Sequence, residues 1–441
     1  MKTIFTVLIV SATVSILPRW NVISAQEPLD FQGSFIYSPV LTHGGSGTWE
    51  ELTIFLPYSF IHEGTFYLFY SGLDNNWISA IGMATSADGL IYTKYAGNPV
   101  LTTSSSGFDS YNVTQGIVIE GQNEWIMYYN GREIPGYGPG PSVGRATAPD
   151  PTGPWSRMDT PVLTTGSPGE WDCEYISPTN VFSLDTGGFI MFFYAGIEFN
   201  SGMSIGMATS VDGLVWNKYN DPSTILPPYA DSDPVLKPGD PGDWDENRVW
   251  LSSALKKPWG YEMYYTADNL SGDDAIGYAS SPDGITWTKF TDNPVYTLGD
   301  DPYGSGMGYS LLEQPAIVIK DSIAYMYYDY GIPYPGEFGV AMADVPVSIN
   351  DKNLTIDDLR VTVNPNPVNQ SAAFSYTLKY PAQVIIRVFD GFGQMVSEPL
   401  NACQTKGKQK VVWNAENLPA GIYFYRIQAG KEVGGGKIVK W

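Results

Sequence analysis

The segment IGYASSPDGITWTKFTDNPVYTLG (Ile276–Gly299) decides the fold, because the chain repeats it in altered copies. It predicts a strand, a tight turn at Pro282-Asp283-Gly284, and a second strand that stops at Asn293-Pro294. Related segments start 62, 62, 71 and 62 residues apart, at Ile81 (IGMATSADGL), Val143 (VGRATAPDPT), Ile205 (IGMATSVDGL), Ile276 itself and Phe338 (FGVAMADVPV). Self-similarity at a nearly fixed spacing predicts one structural unit repeated five times.

Two further strands precede the copied segment in each unit. The second of them is strongly aromatic, as in FYLFYSG, WIMYYNG, IMFFYAG, YEMYYTA and AYMYYDYG. Four short strands per unit, cut by Asp-Gly turns, favour antiparallel sheets. Five such sheets packed around an axis form a five-bladed β-propeller, so the sequence predicts an all-β fold over residues 26–348.

The fifth unit ends near Val347 without its outermost strand. The missing piece is found at the N-terminus, where SFIYSPVLTHG (from Ser34) resembles TKFTDNPVYTLG. We therefore expect the N-terminal strand to close the last blade. The repeated Asp-Gly turn has a structural explanation, and Trp216 and Trp287 behind it are expected to pack between neighbouring blades.

Composition and charge restrict the possible partners. The 441-residue chain has a formal net charge of −22, which opposes binding to nucleic acids or anionic membranes. Residues 1–25 read as a secretory signal peptide, and no later segment is apolar enough to predict a transmembrane span. Only Cys173 and Cys403 are present, in different predicted domains, so a disulfide framework is not expected.

The C-terminal region changes character after a polar linker at residues 349–356. Residues 357–441 contain alternating strands that predict a small β-sandwich. This region resembles the type A C-terminal sorting domain of the Bacteroidota type IX secretion system through NPNP (364–367), DGFGQ (390–394), LPAGIY (418–423) and the basic end KIVK (437–440). The resemblance implies export by the Sec and type IX routes, with the protein secreted or attached to the cell surface. An adhesive or carbohydrate-binding sandwich is the alternative.

An aromatic–acid pair stands at the start of four units: Trp49-Glu50, Phe108-Asp109, Trp171-Asp172 and Trp244-Asp245. Its repetition favours a structural role, with each carboxylate capping backbone N–H groups. Residues that differ between units are more informative about function. Those expected around the mouth of the propeller, as sugar-binding residues, are Arg132, Glu133, Tyr175, Glu198, Asn247, Arg248, Asp268 and Asp329. Carboxylates, an arginine and aromatic rings around one funnel suit a carbohydrate.

The propeller, residues 32–348, resembles the five-bladed glycoside hydrolases of families 43, 32 and 130, through IGMATSADGL, IGYASSPDGITW and NPVL. This resemblance implies an acid glutamate in the third blade, Glu174, and a carboxylate that tunes its pKa in the second, Asp109. The first blade has Glu50 and Glu51 where the family has an aspartate as base or nucleophile. Glu313, in a Glu-x-Pro sequence of the fifth blade, is the rival for the acid.

The sequence contains few residues that could form another kind of catalytic or metal site. His43 and His62 are the only histidines, so neither a histidine metal site nor a Ser-His-Asp triad is expected. The acidic segment 231–247 could bind a structural calcium ion but lacks calcium-loop spacing, and no cofactor is predicted.

Two functions remain from the sequence. The first is a secreted glycoside hydrolase that uses paired carboxylates in the funnel on plant or algal polysaccharide fragments. The alternative is a non-catalytic carbohydrate-binding or adhesion propeller. The two differ in whether two carboxylates converge at the mouth.

Overall fold

The computed structural model describes most of the chain beyond the predicted signal peptide. The described residues are 27–32, 36–135, 140–198, 201–272, 274–301, 303, 312–330, 336–345, 359, 361–378, 381–390, 395–429 and 432–441. The predicted signal peptide (1–25) and linker (349–356) lie outside them. The chain divides into two compact units, Met1–Val345 and Pro346–Trp441.

The strands of the first unit form five antiparallel sheets within the described residues. In chain order they are β1 (Ile36–Thr42); β2 (Thr53–His62), β3 (Thr65–Leu73), β4 (Ser79–Ser86), β5 (Thr93–Lys94); β6 (Asn112–Glu120), β7 (Trp125–Arg132), β8 (Ser142–Ala148), β9 (Ser156–Arg157), β10 (Leu163–Thr164); β11 (Tyr175–Ser183), β12 (Phe189–Gly196), β13 (Ser204–Ser210), β14 (Asn217–Lys218), β15 (Pro234–Leu236); β16 (Arg248–Lys257), β17 (Gly260–Asp268), β18 (Ala275–Ser281), β19 (Thr288–Lys289); and β20 (Glu313–Lys320), β21 (Ile323–Asp329), β22 (Glu337–Asp344). A single 3-10 turn, Leu298–Asp300, lies among the described residues between β19 and β20.

The sheets are arranged as the blades of a propeller. Their first strands, β2, β6, β11, β16 and β20, contact one another in that order, and β20 contacts β2 again. Strand β1 pairs with β22 in antiparallel register, with Leu41 opposite Phe338. The N-terminal strand therefore completes the fifth blade, and the predicted ring closure is confirmed.

The repeated segment has a glycine in the third strand of each blade, and packing explains why. A Cβ added at Gly82 would lie 2.7 Å from the Trp49 indole, and one at Gly277 would lie 2.7 Å from the Trp244 indole. The Trp49 indole stacks on Tyr70, and the Trp244 indole packs against Tyr265 in a tilted arrangement. The repeat keeps glycine here because an aromatic ring, from the blade entrance or from the neighbouring strand, occupies the space of a side chain.

The Asp-Gly turn joins neighbouring blades. In blade three the Asp212 carboxylate accepts the N–H groups of Leu214 and Val215, at 2.8 and 3.1 Å. The Gly213 carbonyl accepts the hydroxyl of Tyr128 from blade two at 2.9 Å. The ring of Trp216 meets Tyr128 edge to face at 5.5 Å, and Trp287 meets Phe192 of blade three at 5.6 Å. The predicted packing of both tryptophans between blades is confirmed.

The second unit is a β-sandwich, as predicted. One sheet has the order β23 (Thr362–Asn364), β24 (Ser371–Leu378), β27 (Gly407–Asn414), and the other has β26 (Met395–Gln404), β25 (Ala382–Phe389), β28 (Gly421–Ala429), β29 (Glu432–Lys440). Their inner faces enclose one apolar core around Phe374, Ile386 and Trp413. None of the described segments forms a helix with the length and hydropathy that crossing a lipid bilayer requires.

Candidate active site

A β-bulge interrupts the first strand of every blade close to the mouth of the propeller. In four blades the bulge contains a residue other than glycine with positive φ: Leu56, Gln115, Leu251 and Gln314. A bulge bends its strand and redirects the neighbouring side chains. The residue just before it is therefore the place where the blades can present different chemistry from one backbone shape.

The cross-strand pair just before the bulge differs in each blade. In blade order these pairs are Phe55–Ser71, Thr114–Asn130, Pro178–Phe193, Trp250–Thr266 and Glu313–Asp329. Directly opposite residues of an antiparallel pair have Cβ atoms about 4.5–5.5 Å apart on one face of the sheet. Among the described strands only blade five has two acids in these positions. We call Glu313 and Asp329 the blade-five pair.

Asp329 has a structural task that does not require an acid. Its Oδ2 accepts the bulge N–H of Leu56 from blade one at 2.9 Å. In two other blades a hydroxyl does the same work, since Ser71 accepts the N–H of Gln115 and Thr266 that of Gln314. The second oxygen of Asp329, Oδ1, is buried and has no hydrogen-bond partner among the described residues. The fold therefore needs only a hydrogen-bond acceptor at this position, and a hydroxyl would be enough.

Blade four brings further charges to the blade-five pair. Arg248, the first residue of β16, donates to Asp268 at 3.0 Å and to Asp274 at 3.3 Å. The carboxyl groups of Asp274 and Glu313 are close enough for each to shift the pKa of the other. We call Asp268, Asp274, Glu313 and Asp329 the acid cluster. Asp268, Asp274 and Asp329 are buried, and Glu313 is partly buried.

The acid cluster favours protonated carboxyls. Burial, with the charge of Glu313 nearby, raises the pKa of Asp274. Burial also raises the pKa of Glu313 to about 7, and the charge of Asp329 adds to the effect. Burial raises the pKa of Asp329 to about 7, which the Leu56 N–H partly offsets. The pKa of Asp268 is raised by burial, against the opposing effect of Arg248. One arginine cannot neutralise four carboxylates, so protons remain.

The repeated acids have different surroundings. Each pairs with a lysine or arginine of the outer strand of its own blade: Glu50 with Lys94, Asp109 with Arg157, Asp172 with Lys218 and Asp245 with Lys289. We call them the framework acids. The expected structural role fits, but the partner is a side-chain cation and not backbone N–H groups. The catalytic roles expected for Glu50 and Asp109 stay predictions, and the structure places both carboxylates in ion pairs within their own blades.

Two other expected catalytic residues lie apart from the acid cluster. Glu51 is partly exposed and accepts hydrogen bonds from Gly47 N–H and the Asn75 amide, so it holds a loop. Glu174 lies directly before β11 with an exposed side chain.

The expected binding residues divide into two groups. Asn247, Arg248, Asp268 and Asp329 converge, and the amide of Asn247 donates to Asp268 at 3.3 Å. In blades two and three Arg132 is buried, with its guanidinium carbon 6.0 Å from the Tyr175 ring centre, while Glu133 and Glu198 are exposed. Asp274 is a member of the acid cluster that the sequence analysis missed.

The part of the chain that the structure describes contains no group of three or more His, Cys, Asp or Glu side chains arranged to hold a metal ion. In the acidic segment 231–247, Asp243 accepts the N–H of Asp240 and Glu246 that of Gly242. Asp245 pairs with Lys289 at 2.6 Å. These carboxylates are engaged in the local structure of the segment.

Comparison with known proteins identifies the second unit. Residues 362–440 match the secretion system C-terminal sorting domain. The chain therefore carries a type IX sorting domain, and the protein is secreted or attached to the cell surface.

The propeller has structural relatives of low sequence identity. A glycosyl hydrolase from Bacteroides ovatus is 18% identical, with 73% of this chain and 96% of that chain covered and a TM-score of 0.53. One of the family 130 glycoside hydrolases that target β-1,2 mannosidic linkages in Candida mannan is 20% identical, with 75% and 98% covered and a TM-score of 0.53. At this identity the likeness shows the propeller fold. None of the curated proteins matches the sequence.

Proposed function

We propose that the protein is a secreted carbohydrate-active enzyme, a glycoside hydrolase that uses the blade-five pair. The observation that carries this proposal is the pair's position. One backbone site, repeated in five blades, has two facing carboxyls only in blade five among the described residues. The glycoside hydrolase folds that resemble the propeller, together with the sorting domain, support a substrate outside the cell.

Glycoside hydrolysis needs one carboxylic acid to protonate the leaving oxygen and a second carboxylate to activate water or to attack the sugar. Glu313 suits the first role because it is partly exposed and its pKa is raised to about 7. Asp329 suits the second role. The Leu56 N–H favours its charged form at Oδ2, while Oδ1 is left to accept a hydrogen bond from water.

Asp274 and Arg248 are positioning residues in this proposal. Asp274 acts through its influence on the Glu313 carboxyl, and Arg248 limits the total negative charge by pairing with Asp268 and Asp274. Two ion pairs also leave Arg248 poorly suited to bind a phosphate ion. This supports transfer of the sugar to water and not to phosphate.

The test is release of reducing sugar from a panel of aryl glycosides and polysaccharides by the full chain and by Glu313→Gln. We expect release by the parent and a loss of at least ~100-fold in the variant, as for removal of a general acid. Equal activity in both would overturn the assignment of Glu313. Binding of a polysaccharide without release by the parent would instead support the alternative, a non-catalytic binding propeller.

A further inference from the structure

Trp77 is unusual among the aromatic residues of the propeller. Its side chain is 43% exposed, and among the described residues of this unit only Tyr95, at 37%, is a comparably exposed large aromatic ring. Its φ of +63° lies in the left-handed region, which a bulky side chain adopts only at an energetic cost. Part of a large apolar ring is thus accessible to solvent on a strained backbone.

The turn that carries Trp77 is held firmly. The Asp74 carboxylate accepts the N–H groups of Asn76 and Ile78 at 2.8 and 2.9 Å. The N–H of Trp77 donates to the Asp74 carbonyl at 3.0 Å. Asn75 donates to the carboxylate of Glu51, directly before β2. These bonds fix the backbone from which the indole projects.

Trp77 and the blade-five pair lie on the same face of the propeller. Glu313 begins the first strand of its blade and Asp329 ends the second. Because consecutive strands run in opposite directions, the turn between a second and a third strand lies at that same end. Trp77 occupies this turn in blade one. Blades one and five are adjacent, since Leu56 bonds to Asp329 and Gly336 donates to Thr53 at 2.8 Å.

We propose that Trp77 is a stacking platform for a sugar ring distant from the bond that is cut, and that the bound chain is an uncharged polysaccharide. This rests on the proposed function of the blade-five pair. The apolar C–H face of a pyranose packs on an aromatic ring. The carboxylates of Glu51 and Asp74, which hold the turn that carries Trp77, and the net charge of −22 repel uronate or sulfate groups.

The test is affinity electrophoresis of the full chain in Glu313→Gln form, so that binding is measured without cleavage. The probes are mannan and xylan as uncharged chains, and polygalacturonate and carrageenan as polyanions. Trp77→Gly removes the ring and relieves the left-handed strain, so folding is preserved. Trp77→Phe keeps a ring, and Tyr95→Ala removes the other exposed ring of blade one.

We expect binding to an uncharged chain, about tenfold weaker in Trp77→Gly, mostly restored in Trp77→Phe and unchanged in Tyr95→Ala. Equal binding by Trp77→Gly and the parent, preference for a polyanion, or binding to none of the probes would overturn the proposal. Hydrolysis of short aryl glycosides, measured with Glu313 intact, reports separately on the proposed function. Its absence would leave a Trp77-dependent binding result standing.

Discussion

The framework acids and the acid cluster are carboxylates of one propeller in opposite surroundings. Each framework acid has a lysine or arginine of its own, as Asp172 has Lys218. In the acid cluster four carboxylates share the charge of Arg248, and raised pKa values result. Residue type is alike in the two sets, and every member except the partly exposed Glu313 is buried. The ratio of carboxylates to cations therefore separates a structural acid from a candidate catalytic one.

The largest expected effect compares Glu313 with Glu174. Because only Glu313 sits among carboxylates that raise its pKa, we expect Glu313→Gln to lower kcat/KM by ~100-fold or more, with Glu174→Gln within about threefold of the parent. The measurement is hydrolysis of whichever panel substrate the parent cleaves. A large loss in Glu174→Gln with an active Glu313→Gln would reverse the comparison between blades three and five.

The second effect tests a framework acid. Asp172→Asn leaves the ammonium of Lys218, which is 14% exposed, without its carboxylate. We expect the free energy of unfolding to fall by about 2 kcal/mol, somewhat less than for a fully buried pair, while kcat stays unchanged. Urea unfolding measures the change. The matched control is Asp185→Asn, which breaks an exposed pair with Lys256 and is expected to leave stability as it was. Loss of kcat in folded Asp172→Asn would contradict a purely structural role.

The third effect is a smaller change in the free energy of unfolding, and it is a gain in stability and not a loss. The folded-state pKa of Asp329 is about 7 against an ordinary 3.8, so the folded state binds the proton more tightly. The contribution of the Asp329 carboxyl to the free energy of unfolding is therefore fully present below pH 3.8 and is lost as the pH rises through 7. Asp329→Asn keeps an acceptor for Leu56 and removes the charge. We expect it to be inactive, yet more stable than the parent by about 1 kcal/mol at pH 8.

Thermal unfolding of parent and Asp329→Asn at pH 4 and pH 8 measures the difference, which should nearly vanish at pH 4. A variant that is less stable at both values would mean that the carboxylate is a structural acid like those of the framework.

The sequence predicted the scaffold well because the scaffold is repetitive. Five copies of one sequence segment predicted the five blades. The strand missing from the fifth copy predicted that the N-terminal strand closes the last blade. The sorting domain followed from its motifs. The sequence also shows the repeated glycine, but it does not show why glycine is needed there. In blade one the ring next to it is Trp49, which lies in the loop before a different strand.

The site was predicted only in part. Glu313, Arg248, Asp268 and Asp329 were on the candidate list, but Glu174 and Asp109 ranked above them through family resemblance. The proposed pair is defined by its place next to the bulge, whose non-glycine residues carry no sequence signal of positive φ. Asp274 lies in the loop before β18, and that loop differs between blades, so no repeat position identified it.

The most direct test of the account is a pH titration of carbon-13-labelled glutamate side chains by NMR, because it needs no substrate. The account predicts one glutamate resonance that titrates near pH 7 and disappears in Glu313→Gln, moving to lower pH in Asp329→Asn as the neighbouring charge is removed. If the resonance lost in Glu313→Gln titrates near the ordinary glutamate pKa of about 4.3, the blade-five pair is not the site of proton transfer.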